Sequence, residues 1–153
     1  MIIAVIGVVV IPTFVNRSTA PALRTAANIL ACDIEFAEGE SITHPSDLRQ
    51  IQFDGSGNRY WIAASASAAT PLTSPVDGQP YLNDFTTGRS AEMTGISLSA
   101  INLTNNAMVL QFDAYGRPVG QLSNPSIRLV ATDGSTMTVT VDATTGETSI
   151  SSP

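Results

Sequence analysis

His44 and Cys32 are the only histidine and the only cysteine of this chain, so imidazole or thiolate catalysis would rest on them alone. His44 directly precedes Pro45, and with no second histidine to share a proton it reads as a capping or surface residue instead of a general base. Cys32 falls on or beside the apolar face of a helical pattern, where it reads as a small buried hydrophobe. No Gly-x-Ser-x-Gly elbow is present to raise a serine nucleophile. Asp54-Gly-Ser-Gly-Asn58 opens like a calcium loop, but Arg59 stands where that loop needs glycine and Ser65 where it needs glutamate, which leaves a hairpin turn. Asp113, Arg117 and Asp133 offer charges for a ligand, yet turn bonding and ion pairing account for them. Asn16-Arg-Ser18 and Asn102-Leu-Thr104 match a glycosylation acceptor, which matters only in a host that glycosylates exported chains. These patterns indicate no enzyme and no metal or cofactor site. One binding alternative remains: an exported adhesin or carbohydrate-binding β module, with a ligand loop at Ser65 to Pro80 and Tyr60, Trp61 and Tyr81 as its aromatics.

The elements that must position any such surface divide into a helical front and a β-rich remainder. Met1 to Val15 carries no charge. As a helix it would extend roughly 22 Å at ~1.5 Å per residue, short of the roughly 30 Å of a bilayer's hydrocarbon. A signal peptide lacks its basic start here, and Pro21 follows the small-residue site Ser18-Thr19-Ala20. An uncharged surface helix of a soluble domain would be unusual. The preferred expectation is that the chain begins inside a longer apolar segment.

The 153 residues suffice for one domain plus an anchor. All seven basic residues are arginine against thirteen acids, giving a net charge of -6 that disfavours nucleic-acid binding. A single cysteine rules out an internal disulfide.

Pro12 is expected to kink the rod, and a break over Asn16 to Pro21 to precede a second helical segment with Thr19 as its cap. Leu23, Ala27, Leu30, Ile34 and Ala37 recur at helical spacing, widened by Ile29, Cys32 and Phe36, and this stripe should cover a sheet. Asp33, Glu35, Glu38 and Glu40 lie mostly off it, and Gly39 is placed to terminate the helix near Ser41. Beyond His44 the period becomes two. Arg49 to Asp54 and Arg59 to Ala64 form a hairpin pattern, and Ser65 to Pro80 reads as a loop. Strands follow at Gly95 to Thr104 and Ala107 to Asp113 around an Asn105-Asn106 turn. Ser126 to Thr132 and Ser135 to Asp142 flank Asp133-Gly134, and Glu147 to Ile150 follows Thr145-Gly146. One echo links distant strands: Ile51-Gln-Phe-Asp-x-x-Gly57 and Leu110-Gln-Phe-Asp-x-x-Gly116, each an alternating strand that runs into a turn.

Val5-Ile-Gly-Val-Val-Val-Ile-Pro-Thr-Phe14 resembles the second half of the N-terminal segment of type IV pilins and type II secretion pseudopilins. Ala27 to Ile42 resembles the amphipathic half that follows it. Leu110-Gln-Phe-Asp-Ala-Tyr-Gly-Arg-Pro118, Ile127 to Ala131 and Met137 to Gly146 are similar to the minor pseudopilins of the H class and to T-class fimbrial minor pilins. The similarity runs in order along nearly the whole chain.

That resemblance implies an α+β, pilin-like fold: a long N-terminal α-helix packed against a C-terminal antiparallel β-sheet head. Residues 1–15 would be a truncated membrane or filament segment, 16–42 the amphipathic half and 43–153 a periplasmic head. It implies a structural minor pseudopilin of a type II secretion system or type IV pilus machine, single-pass in the bacterial inner membrane, its partners other pseudopilins. Ile2, Ile3, Val5, Ile6, Val9, Val10, Ile11, Pro12 and Phe14 would be the membrane and assembly surface, since apolar half-helices leave lipid by packing on similar helices. Leu23, Ala27, Leu30 and Ile34 would join helix to sheet, and Phe112, Asp113, Gly116, Thr145 and Gly146 would form the family's turns. The basic leader, Gly-Phe peptidase site and early glutamate of the family belong upstream of Met1, so a prepilin peptidase is a partner only if a leader exists there. Arg17 and Arg24 follow the apolar run with nothing basic before it, against the positive-inside tendency, which the same missing leader would explain.

Overall fold

Alanine and leucine fill the stretch after Pro21, which sits in the first turn where its missing N–H costs nothing, and a single helix results. The computed structural model describes residues 19–56, 58–87, 93–104 and 108–153. Its helix, α1, spans Thr19–Thr43, 25 residues or about 37 Å at ~1.5 Å each. The apolar run Ile2 to Phe14 lies outside the described residues.

The expectation for the C-terminal end of α1 needs correction. Gly39 does not terminate it; the helix runs on to Thr43, because Ser41 is buried and its Oγ accepts the Arg49 N–H at 2.8 Å, tying the last turn to the first strand. The stop comes at His44, whose position before Pro45 disfavours helical backbone; its own N–H donates to the Glu40 carbonyl at 2.9 Å. Thr19 is the first described residue of α1, and its hydroxyl donates to the Asp133 carboxylate, a contact with a distant turn that spacing did not indicate.

Among the described residues eight strands follow: β1 Arg49–Phe53, β2 Arg59–Ala64, β3 Leu82–Asp84, β4 Ile96–Asn102, β5 Val109–Gln111, β6 Ser126–Ala131, β7 Thr136–Val141 and β8 Thr148–Ser151. They make two antiparallel sheets of four, ordered β3-β2-β1-β5 and β4-β6-β7-β8. The hairpins β1–β2, β6–β7 and β7–β8 form where alternation flanks turn residues. The strands before and after Asn105-Asn106 do not make a hairpin: β4 joins β6 and β5 joins β1, in different sheets. Their alternation was correct, but pairing is set by which apolar face meets which, and a local turn signal does not contain that. β3 escaped the pattern because three residues are too few to alternate, and the stretch before it contains a 3-10 turn at Ser65–Ser67 and bridges Ala63 to Pro71 and Thr73 to Pro80.

The echo has a spatial meaning. β1 and β5 are neighbours with Ile51 opposite Leu110, and Ile51, Phe53, Leu110 and Phe112 are all buried on the helix side. Both strands lead into aspartates that cap a turn. The α1 stripe packs directly on β1 of the first sheet and on β4, β6, β7 and β8 of the second, closing one core that includes Leu23, Ala27, Leu30, Ile34, Ile127, Leu129, Val139 and Val141.

Candidate functional site

The helix–head junction is the most built feature of the molecule, and three groups of side chains define it. The first centres on Asp33. Only 5% exposed, this acid projects from the apolar face of α1 into the first sheet. Its carboxylate accepts hydrogen bonds from the Tyr60 hydroxyl at 2.7 Å, the Tyr81 hydroxyl at 2.8 Å and the Asn83 side-chain amide at 2.6 Å. Burial, and after it the neighbouring Asp33 charge, hold the Tyr60 phenol well above its ordinary range, so it stays a proton donor. Tyr81 also stacks on Phe36, ring centres 5.1 Å apart.

Placing Asp33 off the apolar stripe was therefore wrong. It lies three residues after Leu30 and four before Ala37, on their face, and is tolerated because sheet donors meet it. The signal was present as an acid at a core position together with tyrosines in the strand region. Cys32, by contrast, is exposed and not a buried hydrophobe. The adhesin alternative loses two of its three aromatics, since Tyr60 and Tyr81 turn toward the helix.

The second group closes the C-terminal end of α1. Arg49, nearly buried, donates from Nη1 to the Asp47 carboxylate and carbonyl, each at 2.8 Å, with the Glu40 carboxylate 3.7 Å from its Nε. Beside it the turns carrying Gly116 and Gly146 press on Glu38. A Cβ on Gly116 would meet Glu38 Oε1 at 2.7 Å, and one on Gly146 would run into the Gly116 carbonyl oxygen. Both glycines have positive φ, +82° and +84°, so these positions are closed to side chains by conformation and by space. Partial burial, then the charge of Glu35, raise the Glu38 carboxyl above its usual range. The turns themselves are aspartate-capped: Asp113 accepts the N–H groups of Tyr115 at 2.8 Å and Arg117 at 2.9 Å, and Asp142 those of Thr144 and Thr145. Phe112 is fully buried, and the Thr145 hydroxyl accepts the Glu147 N–H at 3.2 Å.

The third group ties down the N-terminal end. Asp133, in the β6–β7 turn, accepts hydrogen bonds from Ser135 and Thr19, which lower its pKa to about 2. Leu23, Ala27, Leu30 and Ile34 are all buried between these ends.

Other candidates stay apart. His44 is exposed, its Nδ1 near the Glu40 carbonyl and carboxylate at the helix exit. Asp113 pairs with Arg117 at 2.8 Å, while Asp133 serves a different turn. Among the described residues no group of three or more His, Cys, Asp or Glu side chains could hold a metal ion, and no helix is long and apolar enough to cross a membrane.

No family model matches the chain, and no curated protein matches it in sequence. Its structure is similar to that of the minor pseudopilin EpsH from the Type 2 Secretion System of Vibrio cholerae, with a TM-score of 0.61 at 12% identity over 86% of this chain and 98% of that one. One N-terminal helix packed across antiparallel sheets, in a single arrangement extending over nearly all of that neighbour, makes the fold of this chain pseudopilin-like.

Proposed function

We propose that this chain is a structural minor pseudopilin, a non-catalytic subunit of a short periplasmic filament that supports protein secretion. The observation that carries this reading is the shared fold, which spans 98% of the EpsH chain. The charge-free run before the helix supports it as well. In this reading residues 1–15 are the membrane and filament segment, with Ile2, Ile3, Val5, Ile6, Val9, Val10, Ile11 and Phe14 as the packing surface and Pro12 as a buried kink. Residues 16–42 are the stem and 43–153 the periplasmic head. Before assembly the inner membrane solvates the apolar segment; afterwards the helices of other pseudopilins do.

The rigid junction fits this role, because a subunit whose rod swivelled on its head could not hold a fixed place in a filament. The test is deletion of the gene in its native host, followed by fractionation and complementation. Loss of secretion of exported proteins, restored by a chain that stays in the inner-membrane fraction until detergent is added, is the expected result. A freely soluble periplasmic domain with secretion unchanged would rule the function out.

A further inference from the structure

We infer that the free edge of β8 is a strand-addition site for an extended peptide segment of another protein, apolar at alternate residues and carrying a carboxylate that meets Arg24. The inference rests on backbone geometry and stands apart from the filament reading.

Among the described residues four strands are sheet edges, and three of them are guarded. β3 has three residues and ends on Asp84. β5, also of three residues, is covered by the turn that follows it, where the Val119 N–H donates to the Gln111 carbonyl at 2.8 Å and Phe112 bridges Pro118. β4 is interrupted by a bulge between Leu98 and Ala100. Charge, cover and bulges are the devices that keep an edge from recruiting another chain. β8 has none of them: Thr148-Ser-Ile-Ser151 is uncharged, free of proline and in unbroken register with β7.

The open backbone groups of this edge follow from its register. At the β7–β8 turn the Asp142 N–H donates to the Glu147 carbonyl at 2.8 Å, which makes that a hydrogen-bonded pair. Such pairs alternate along an antiparallel ladder, so Ser149 and Ser151 bond to β7 while Thr148 and Ile150 turn their N–H and C=O groups outward. These groups have no partner among the described residues. The Thr148 hydroxyl oxygen is also buried and unpartnered. Donors and acceptors in a row along one edge are what an incoming strand pairs with.

A groove beside the edge receives the side chains. It holds about 570 Å³ between the first half of α1 and the end of β8, lined by the apolar Leu23, Met137 and Ile150 and by Asn28. Arg24 is the one charged side chain among the described residues that line it, and it is exposed and makes no ion pair with them. Apolar walls select apolar residues at every second position, and an unpaired guanidinium selects a carboxylate. A second copy of this chain fits less well. Pairing β8 with β8 about a two-fold axis at Ile150 would bring two Arg24 side chains into one groove.

The full chain, held in detergent, is titrated with acetyl-Thr-Val-Thr-Val-Thr-Asp-amide, whose aspartate shares a face with its valines. Saturable binding is expected, with exchange of the Thr148 and Ile150 amide protons slowed at least tenfold by NMR. N-methylation of the two central peptide residues, one of which must face β8, should weaken binding at least tenfold. Asparagine in place of the peptide's aspartate, or Arg24→Gln in the chain, should each weaken it severalfold, and the two together no further. Because Arg24 is exposed, that variant should keep its thermal midpoint. In the native host a photoreactive residue at Asn28 should link to a second polypeptide, whose identity distinguishes a strand from another subunit from one in an exported protein. The proposal is overturned if the hexapeptide does not bind at millimolar concentration, if its N-methylated form binds equally, or if Arg24→Gln leaves binding unchanged. It is equally overturned if protection falls outside β8, if dimerisation of the chain alone protects those amides, or if Asn28 links to no other polypeptide.

Discussion

The two sheets hold the helix by different means. The second presents Ile127, Leu129, Val139 and Val141 to the stripe from Leu23 to Ile34, an aliphatic contact whose strength grows with area and tolerates small shifts. The first adds polar contacts with one correct setting: Asp33 finds donors from Tyr60, Tyr81 and Asn83, and Ser41 meets the backbone of Arg49. A helix that slid or rotated by one residue would keep much of its apolar burial on the second sheet but would leave a carboxylate unpaired against the first. The aliphatic side thus supplies adhesion and the polar side supplies register.

The largest expected effect comes from abolishing the distinction. Leu30→Asp puts an unpaired charge at a position with no exposure, and should cost more than about 4 kcal/mol, enough to unfold the head. Thermal melting followed by circular dichroism checks it; an unaltered midpoint would refute the packing. Asp33→Ala strips the latch and removes the carboxylate to which the buried Tyr60 hydroxyl and Asn83 amide donate. A loss of roughly 2–5 kcal/mol is expected in denaturant titration. Asp33→Leu, which adds apolar area, should recover little of it if register matters and most of it if burial alone does.

Gly146→Ala and Gly134→Ala separate conformation from contact. Both residues have φ near +85°, but a side chain at Gly134 meets open space while one at Gly146 meets Gly116 and Glu38. About 1–2 kcal/mol is expected at Gly134 for the left-handed backbone alone, and a larger loss at Gly146. Equal losses would mean that the turns do not brace the helix end.

The smallest effects are in pH. Asp133, with its pKa lowered to about 2, contributes stability that is complete above its unfolded value of 3.8 and is lost as pH falls through about 2. Glu38 runs the other way. Its raised pKa means that its contribution is present below the unfolded 4.5 and is lost as pH rises through the folded value. Asp133→Asn should flatten the acid limb of a stability-versus-pH curve, and Glu38→Gln should remove the loss on its rising side.

This contrast also marks what the sequence disclosed. The aliphatic side was legible, because Leu23, Ala27, Leu30, Ile34 and Ala37 keep helical period and the strands of the β6–β7–β8 meander alternate between clear turn residues. The polar side was not. Periodicity scores an acid as an outward residue, and Asp33 is inward only because donors some 27, 48 and 50 positions away arrive beside it. The separation of β4 from β5 was hidden for the same reason, since only three-dimensional pairing decides it. The Gly116–Gly146 contact joins two turns that were each readable alone and whose meeting was not.

A photoreactive residue at Val9, in the chain expressed from its native gene, tests most directly whether the stem carries its head into a filament. With the stem clamped by both sheets, the proposed filament role predicts that irradiation links Val9 to other pilin-like subunits in the membrane fraction, while the same probe at the exposed Ser56 turn does not give that product. Linkage of Val9 to the strands of its own head, or no intermolecular product at all, would contradict the account.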